Sequence, residues 1–250
     1  EQQLKEYLPS AVTEPIRLQI GAEPASGANA RDASSAEVAR IIGDWGRLEG
    51  KSAGLQFLEY RSECMEQADK LFEGASGARS GNALFLAAFG LYQIQVGDEL
   101  RARGALEAAT KAGVVRPRAY VELARLRLQG ALPSIRQGIG DLGESDFNDI
   151  LALLTAAREQ MPALLPGYQV LAQAYEHAPT KPARADLGVL DEALRLFPRN
   201  AALAYRVATL YSSFGYVDES SAIMERALRF AETDDDRALL SSWRPRPGSG

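Results

Sequence analysis

The sequence predicts an all-α fold built from consecutive antiparallel helix pairs. Residues 200–232 form the clearest pair, because small and large apolar residues recur there at helical spacing on both sides of a turn at Gly215. Similar patterns of aromatic and small residues return earlier in the chain. A small residue of the second helix stands eleven positions before the next first-helix position in three copies: Ala109 before Tyr120, Ala157 before Tyr168, and Ala193 before Ala204. We expect these three alanines to be buried where helices pack closely.

These patterns resemble the tetratricopeptide repeat (TPR), a helix–turn–helix unit of about 34 residues. The resemblance is carried by the last copy, with Val207, Ala208, Tyr211, Gly215, Ser220, Met224 and Ala227. Earlier copies match with Leu171, Ala172 and Tyr175, with Tyr120, Leu123 and Ala124, and with Leu86, Phe89 and Gly90. The resemblance implies a right-handed superhelical solenoid of antiparallel helix pairs, in which the aromatic positions belong to the core.

Four TPR-like repeats are predicted between residues 83 and 234. Their boundaries are 83–116, 117–164, 165–200 and 201–234. The turn of the second repeat is expected to be a long excursion over residues 130–146. Because loop length alone adds little to the free energy of folding, such an insertion fits the repeat architecture.

For residues 35–75, which precede the repeats, the sequence predicts a degenerate helical hairpin or an N-terminal cap, since terminal units of repeat arrays are atypical. Ser34 or Ser35 can cap its first helix. One face of that helix carries the apolar residues Val38, Ile41, Ile42 and Trp45.

The two ends of the chain read differently from the repeats. Residues 1–34 predict an extended N-terminal arm, in which alternating apolar residues between Ile16 and Ile20 are typical of one strand. This arm either lies on the first helices or is the remnant of a neighbouring domain. At the other end, we expect a C-terminal capping helix at 235–243 and a Pro- and Gly-rich tail at 244–250.

Composition excludes several functional classes. Among 250 residues, 46% are hydrophobic and 24% charged, and the net charge of −5 comes without a basic helix face that would suit nucleic acid. An apolar run of about 20 residues, as membrane insertion requires, is lacking. The single histidine, His177, excludes a multi-histidine metal site, and the single cysteine, Cys64, fits a packed core thiol. We expect neither a cofactor nor a metal.

A glycine motif at 138–143 matches the G-x-G-x-x-G pattern of dinucleotide-binding folds. Phosphate binding would require a strand before the glycines and a helix directly after them. Here the preceding segment is helical, and Asp141, Glu144 and Asp146 would repel a phosphate. We therefore predict a loop, with Ser145 or Asp146 capping the next helix.

The TPR resemblance implies that first helices line a concave, partner-binding face. In the first repeat this face would include Leu91, Ile94 and Gln95. The candidate partner-binding residues of the later repeats are Arg118, Val121, Arg125, Leu128, Gln129, Gln169, Gln173, Glu176, His177, Tyr205 and Thr209. Arg118 and Arg125 lie two helical turns apart, so they project from one side and suit an acidic peptide. The Lys and Asn residues of the chaperone-type TPR clamp are absent from these positions.

The sequence thus predicts a protein-interaction scaffold that binds a peptide or protein segment and has no catalysis of its own. The alternative is an accessory TPR portion of a larger bacterial protein, for example a secreted hydrolase. The start at Glu1 without Met and the lone strand motivate that alternative, and they predict that the chain is a fragment. A third interpretation is self-association through exposed helices.

Overall fold

The computed structural model describes residues 32–52, 57–76, 82–136 and 142–245. Within these ranges every regular element is helical, which confirms the all-α prediction. The strand predicted between Ile16 and Ile20 and the tail residues 246–250 lie outside the described residues. All the packing discussed below lies within the unit Ser34–Gly250.

In the described residues between 32 and 76, four helical stretches precede the repeats. They are α1 (Ser35–Val38), a π-helical turn (Ala39–Gly43), α2 (Asp44–Ser52) and α3 (Leu58–Ser76). Of the two predicted caps, Ser34 is the one used: its side chain accepts from the Glu37 backbone N–H, and the Glu37 carboxylate accepts from the Ser34 backbone N–H at 2.9 Å. This reciprocal capping box fixes where the first helix begins.

The rest of the chain forms sequential antiparallel helix pairs. The first helices are α4 (Ala83–Val96), α6 (Pro117–Arg136), α8 (Leu165–Glu176) and α10 (Ala201–Ser213). The second helices are α5 (Glu99–Ala112), α7 (Glu144–Arg158), α9 (Gly188–Leu196) and α11 (Val217–Phe230), followed by α12 (Asp234–Ser242). Asn82 and Asn200 cap α4 and α10 by accepting backbone N–H groups of the first turn.

The residues that defined the pattern form the core. Ala109, Ala157 and Ala193 are buried, as the eleven-residue spacing predicts. The aromatic residues at repeat positions are buried as well, namely Phe89, Tyr120, Tyr168, Tyr175 and Tyr211. Small residues allow helix axes to approach, and the aromatic rings fill the space between neighbouring pairs.

The first helical segment packs through a face that the sequence pattern did not indicate. Val38, Ile41, Ile42 and Trp45 are all exposed, with Trp45 at 68%. The segment instead presents its glycines to α3: a Cβ at Gly43 would lie 3.0 Å from the Phe72 ring, and those at Gly46 and Gly50 would be similarly crowded by Cys64, Met65 and Arg61. Close packing against small residues therefore decided which face is buried.

The long excursion predicted at 130–146 is wrong. Helix α6 continues to Arg136, and Leu132 is buried on it, so only residues 137–143 separate α6 from α7. The N-cap of α7 is Gly143 and neither Ser145 nor Asp146. Leu142 is also buried, and its N–H donates to the His177 carbonyl at 3.2 Å, which ties this connection to the end of α8.

Tyr211 offers a test of the packing between the third and fourth pairs. Its hydroxyl oxygen lies 2.8 Å from Asp191 Oδ1 and 3.1 Å from the Leu187 carbonyl oxygen, so two acceptors share its single hydrogen. Burial together with Asp191 raises the pKa of Tyr211. We expect Tyr211→Phe to lower the free energy of unfolding by about 1–2 kcal/mol, because the Leu187 carbonyl and the Asp191 carboxylate lose the hydroxyl that donates to them. Tyr216→Phe is the matched control, and denaturant unfolding measures both.

Candidate functional site

A groove of about 400 Å³ crosses three consecutive first helices, α6, α8 and α10. We call it the first-helix groove. Its lining residues are Arg125, Gln129, Pro166, Gln169, Val170, Gln173, Ala202, Leu203 and Arg206. The structure thus brings together four residues that the sequence predicted for a partner surface: Arg125, Gln129, Gln169 and Gln173.

Two glutamines of α8 provide the polar centre of the groove. Gln169 and Gln173 are half-buried and lie four positions apart, so they stand one helical turn from each other. Within the described part of the chain, neither side chain has a hydrogen-bond partner. Each amide offers both a donor and an acceptor group. Beside them, Val170 and Leu203 are buried and form an apolar floor.

The predicted arginine pair, Arg118 and Arg125, is bridged by the carboxylate of Glu122. Glu122 accepts from Arg118 Nη2 at 3.1 Å through Oε1 and from Arg125 Nε at 2.7 Å through Oε2. Arg125 also donates to Gln129 Oε1 at 2.6 Å. The sequence interpretation overlooked this carboxylate, although its position four residues after Arg118 and three before Arg125 is favourable for such pairs.

The prediction that Val121 and Leu128 belong to a partner-binding surface is wrong. Their side chains are only 2% and 1% exposed, so they belong to the core rather than to a partner-binding face. Val121 is covered by α8, whose Gly167 approaches so closely that a Cβ there would lie 3.1 Å from Val121 Cγ2. The side of α6 that carries these residues faces a neighbouring helix.

The remaining predicted residues lie beyond the groove lining. Glu176 pairs with Arg206 Nε at 3.3 Å, and Arg206 is a groove residue that the sequence interpretation missed. His177 is half-buried at the C-cap of α8. Thr209 Oγ1 donates to the Tyr205 carbonyl at 2.8 Å, and both residues are half-buried on α10.

A second cavity of about 270 Å³ lies where α2, α3, α4 and α6 meet. We call it the N-terminal pocket. Its lining residues are Arg47, Lys51, Arg61, Leu91, Ile94, Gln95, Arg118 and Glu122. Leu91, Ile94 and Gln95 were expected on the first-helix face. Arg47, Lys51 and Arg61 were not, because the sequence did not predict how α2 and α3 align with the repeats.

An ion-pair network joins α2 to Arg116, the residue just before α6. Asp44 is shared between Arg47, whose Nη2 lies 2.8 Å from Asp44 Oδ1, and Arg116, which contacts Oδ2. Arg47 and Asp44 are only 5% and 7% exposed. The guanidinium of Arg47 is thereby fixed in the wall of the N-terminal pocket.

The described part of the chain contains no group of three or more His, Cys, Asp or Glu side chains arranged to hold a metal ion. Cys64 is a buried free thiol, and part of the glycine motif at 138–143 lies outside the described residues. No helix in the described part is long and apolar enough to cross a membrane.

Comparison with known proteins shows the fold. No protein-family model and no curated protein sequence matches the chain. Among solved structures, the crystal structure of MamA protein, a TPR protein, aligns with a TM-score of 0.56 at 14% sequence identity. The alignment covers 85% of this chain and 98% of that one. At this identity the similarity concerns fold alone, and it confirms the TPR-like, all-α architecture that the repeat pattern implied.

Proposed function

We propose that this chain is a protein-interaction scaffold that binds a segment of a partner protein in the first-helix groove and performs no catalysis of its own. The observation that supports it most is the groove itself, which runs over α6, α8 and α10 and presents two glutamine amides that have no hydrogen-bond partner in the described part of the chain. Binding sites combine apolar surface with a few polar groups that fix the orientation of the ligand, and this groove offers both.

The chemistry of the groove favours a polypeptide backbone as the ligand. Gln169 and Gln173 can each donate to a carbonyl and accept from an N–H, which are the two groups that every peptide unit exposes. Arg125 and Arg206 flank the amides, and each already shares a carboxylate with the scaffold. Because their charge is partly neutralised, these arginines favour an acidic or polar segment but do not require one. In this proposal Glu176, His177, Tyr205 and Thr209 form the outer rim.

Photocrosslinking tests where the partner lies. A photoreactive amino acid placed at position 173 should crosslink the partner in an extract of the source cells. The same group at Glu225, which is exposed on the second helix α11, should give no adduct. Equal crosslinking from both positions, or from position 225 only, would move the binding surface to the second helices.

The double variant Gln169→Ala/Gln173→Ala tests the chemical reason for binding. We expect capture of the crosslinked partner to fall roughly tenfold or more, since each lost hydrogen bond contributes about 0.5–1.5 kcal/mol. Stability should change little, because neither amide bonds within the described protein. An unchanged affinity, measured by titration with the identified partner, would contradict a role for these amides.

A further inference from the structure

The N-terminal pocket is rich in positive charge. Among the described residues that line it, four are cationic, namely Arg47, Lys51, Arg61 and Arg118, and one, Glu122, carries a carboxylate. Lys51 and Arg61 come from two different helices, α2 and α3, that converge on the same cavity. A cleft in which one charge sign predominates raises the local concentration of ligands of the opposite charge.

The carboxylates near the pocket do not neutralise it. Asp44 is shared by Arg47 and Arg116, so one acid serves two cations. Glu122 is likewise shared by Arg118 and Arg125. Over the described residues, Lys51 and Arg61 have no carboxylate within ion-pair distance, and both are exposed.

The size and floor of the pocket indicate what could enter it. Leu91 is buried and Ile94 half-buried, so the cationic rim stands over an apolar base. A volume of about 270 Å³ lies below the ~300–1,000 Å³ of sites for drug-sized ligands. The pocket therefore has room for one amino-acid side chain, with an aliphatic stem on the floor and a charged end at the rim.

The pocket is linked to the first-helix groove through α6. Arg118 lines the pocket, Arg125 lines the groove, and Glu122 bridges the two arginines. A polypeptide that leaves the groove along α6 would reach the pocket next. The two sites can thus be occupied by one continuous segment.

We propose that the N-terminal pocket binds the carboxylate of an Asp or Glu side chain in the segment whose backbone lies in the first-helix groove. This inference rests on the proposed function and adds the charge of the partner to it. The carboxylate sits between Lys51 and Arg61, the two cations with no scaffold acid, and Arg118 contacts it from α6. Arg47 contributes through its fixed charge.

A short fluorescein-labelled peptide with two glutamates flanked by leucines is the probe, amidated at its C-terminus to remove the terminal carboxylate. Fluorescence anisotropy should show binding that weakens steeply between ~0.02 and ~0.2 M salt, since charge attraction at a surface is screened over ~10 Å at 0.1 M. The variant Lys51→Gln/Arg61→Gln should weaken binding about tenfold. Replacing both glutamates of the probe by glutamine should have a similar effect.

The matched control is Lys111→Gln/Arg229→Gln, which removes the same charge from exposed positions on the second helices α5 and α11 that form no ion pair with any described residue. It should bind the probe like the wild type. If both double variants weaken binding equally, or if neither weakens it, the proposed binding in the pocket is wrong. A probe that fails to bind at low salt overturns it as well, and displacement by inorganic phosphate but not by acetate overturns the carboxylate assignment.

Crosslinking from position 173 separates this inference from the proposed function. A probe that depends on Lys51 and Arg61 and also crosslinks from position 173 supports both. One that depends on the cations but never crosslinks there supports the pocket and contradicts the groove. Crosslinking without dependence on the cations supports the groove and overturns the pocket.

Discussion

Replacing Phe72 with alanine should lower the free energy of unfolding of the N-terminal region by about 3–5 kcal/mol. Phe72 is 0% exposed, and its ring centroid lies 6.2 Å from that of Phe85, 6.0 Å from Phe89 and 5.1 Å from Tyr92. Through these contacts α3 packs on α4. The Phe72 ring also fills the space next to Gly43. Removing it leaves a cavity that rigid neighbouring rings cannot fill.

The loss should be local, because units of a repeat array contact mainly their neighbours. Phe72 belongs to a buried cluster that joins the N-terminal hairpin to α4 and α5, separate from the larger core that follows. Hydrogen exchange should therefore accelerate in α2, α3 and α4, while amides of α8 and α10 keep their protection. Uniform acceleration along the chain would contradict this division of the core.

Phe57→Ala is the control for the same chemical change. Phe57 is 56% exposed just before α3, so its removal should change stability by less than about 0.5 kcal/mol. If Phe72→Ala cost no more than this control in denaturant unfolding, the packing of α3 on α4 would be wrong.

The helix pairs could be predicted because their signal is periodic. Ala109, Ala157 and Ala193 each stand eleven residues before the matching position of the next first helix, whatever the length of the turn inside each pair, and all three are buried. A close contact between helices tolerates little change in side-chain volume, so it leaves a regular mark in sequence. The turn of the second repeat leaves no such mark: Gly130 resembled a helix end, but α6 continues through Pro133 to Arg136.

The candidate site was only partly predictable. Gln169 and Gln173 could be placed by their register on α8, because both residues belong to one element of known period. The role of Glu122 could have been predicted by the same argument from helical spacing. The N-terminal pocket could not be predicted, because Lys51 and Arg61 converge only after α2 and α3 pack. That packing uses glycines rather than the apolar stripe containing Trp45. A hydrophobic pattern indicates that a face is apolar but does not identify the partner that covers it.

Replacing Gly90 with alanine should lower the free energy of unfolding by about 1–3 kcal/mol. Gly90 lies within α4, where alanine would ordinarily stabilise a helix by roughly 1 kcal/mol. Here a Cβ would lie 2.7 Å from Leu106 Cγ and 3.3 Å from the Ala102 carbonyl oxygen of α5. Because Leu106 is 0% exposed, its side chain has little room to move, and the steric overlap outweighs the gain in helix propensity.

Gly104 is the matched control, since it lies within α5, is exposed, and would place its Cβ with no neighbouring atom within 4 Å. Gly104→Ala should therefore raise stability by roughly 0.5–1 kcal/mol, so the two identical substitutions should differ in sign. Adding Leu106→Ala to Gly90→Ala should cost less than the sum of the single changes, because the smaller side chain removes the overlap. Additive effects in that double-mutant cycle, measured by denaturant unfolding, would show that α4 and α5 do not meet at Gly90 and Leu106.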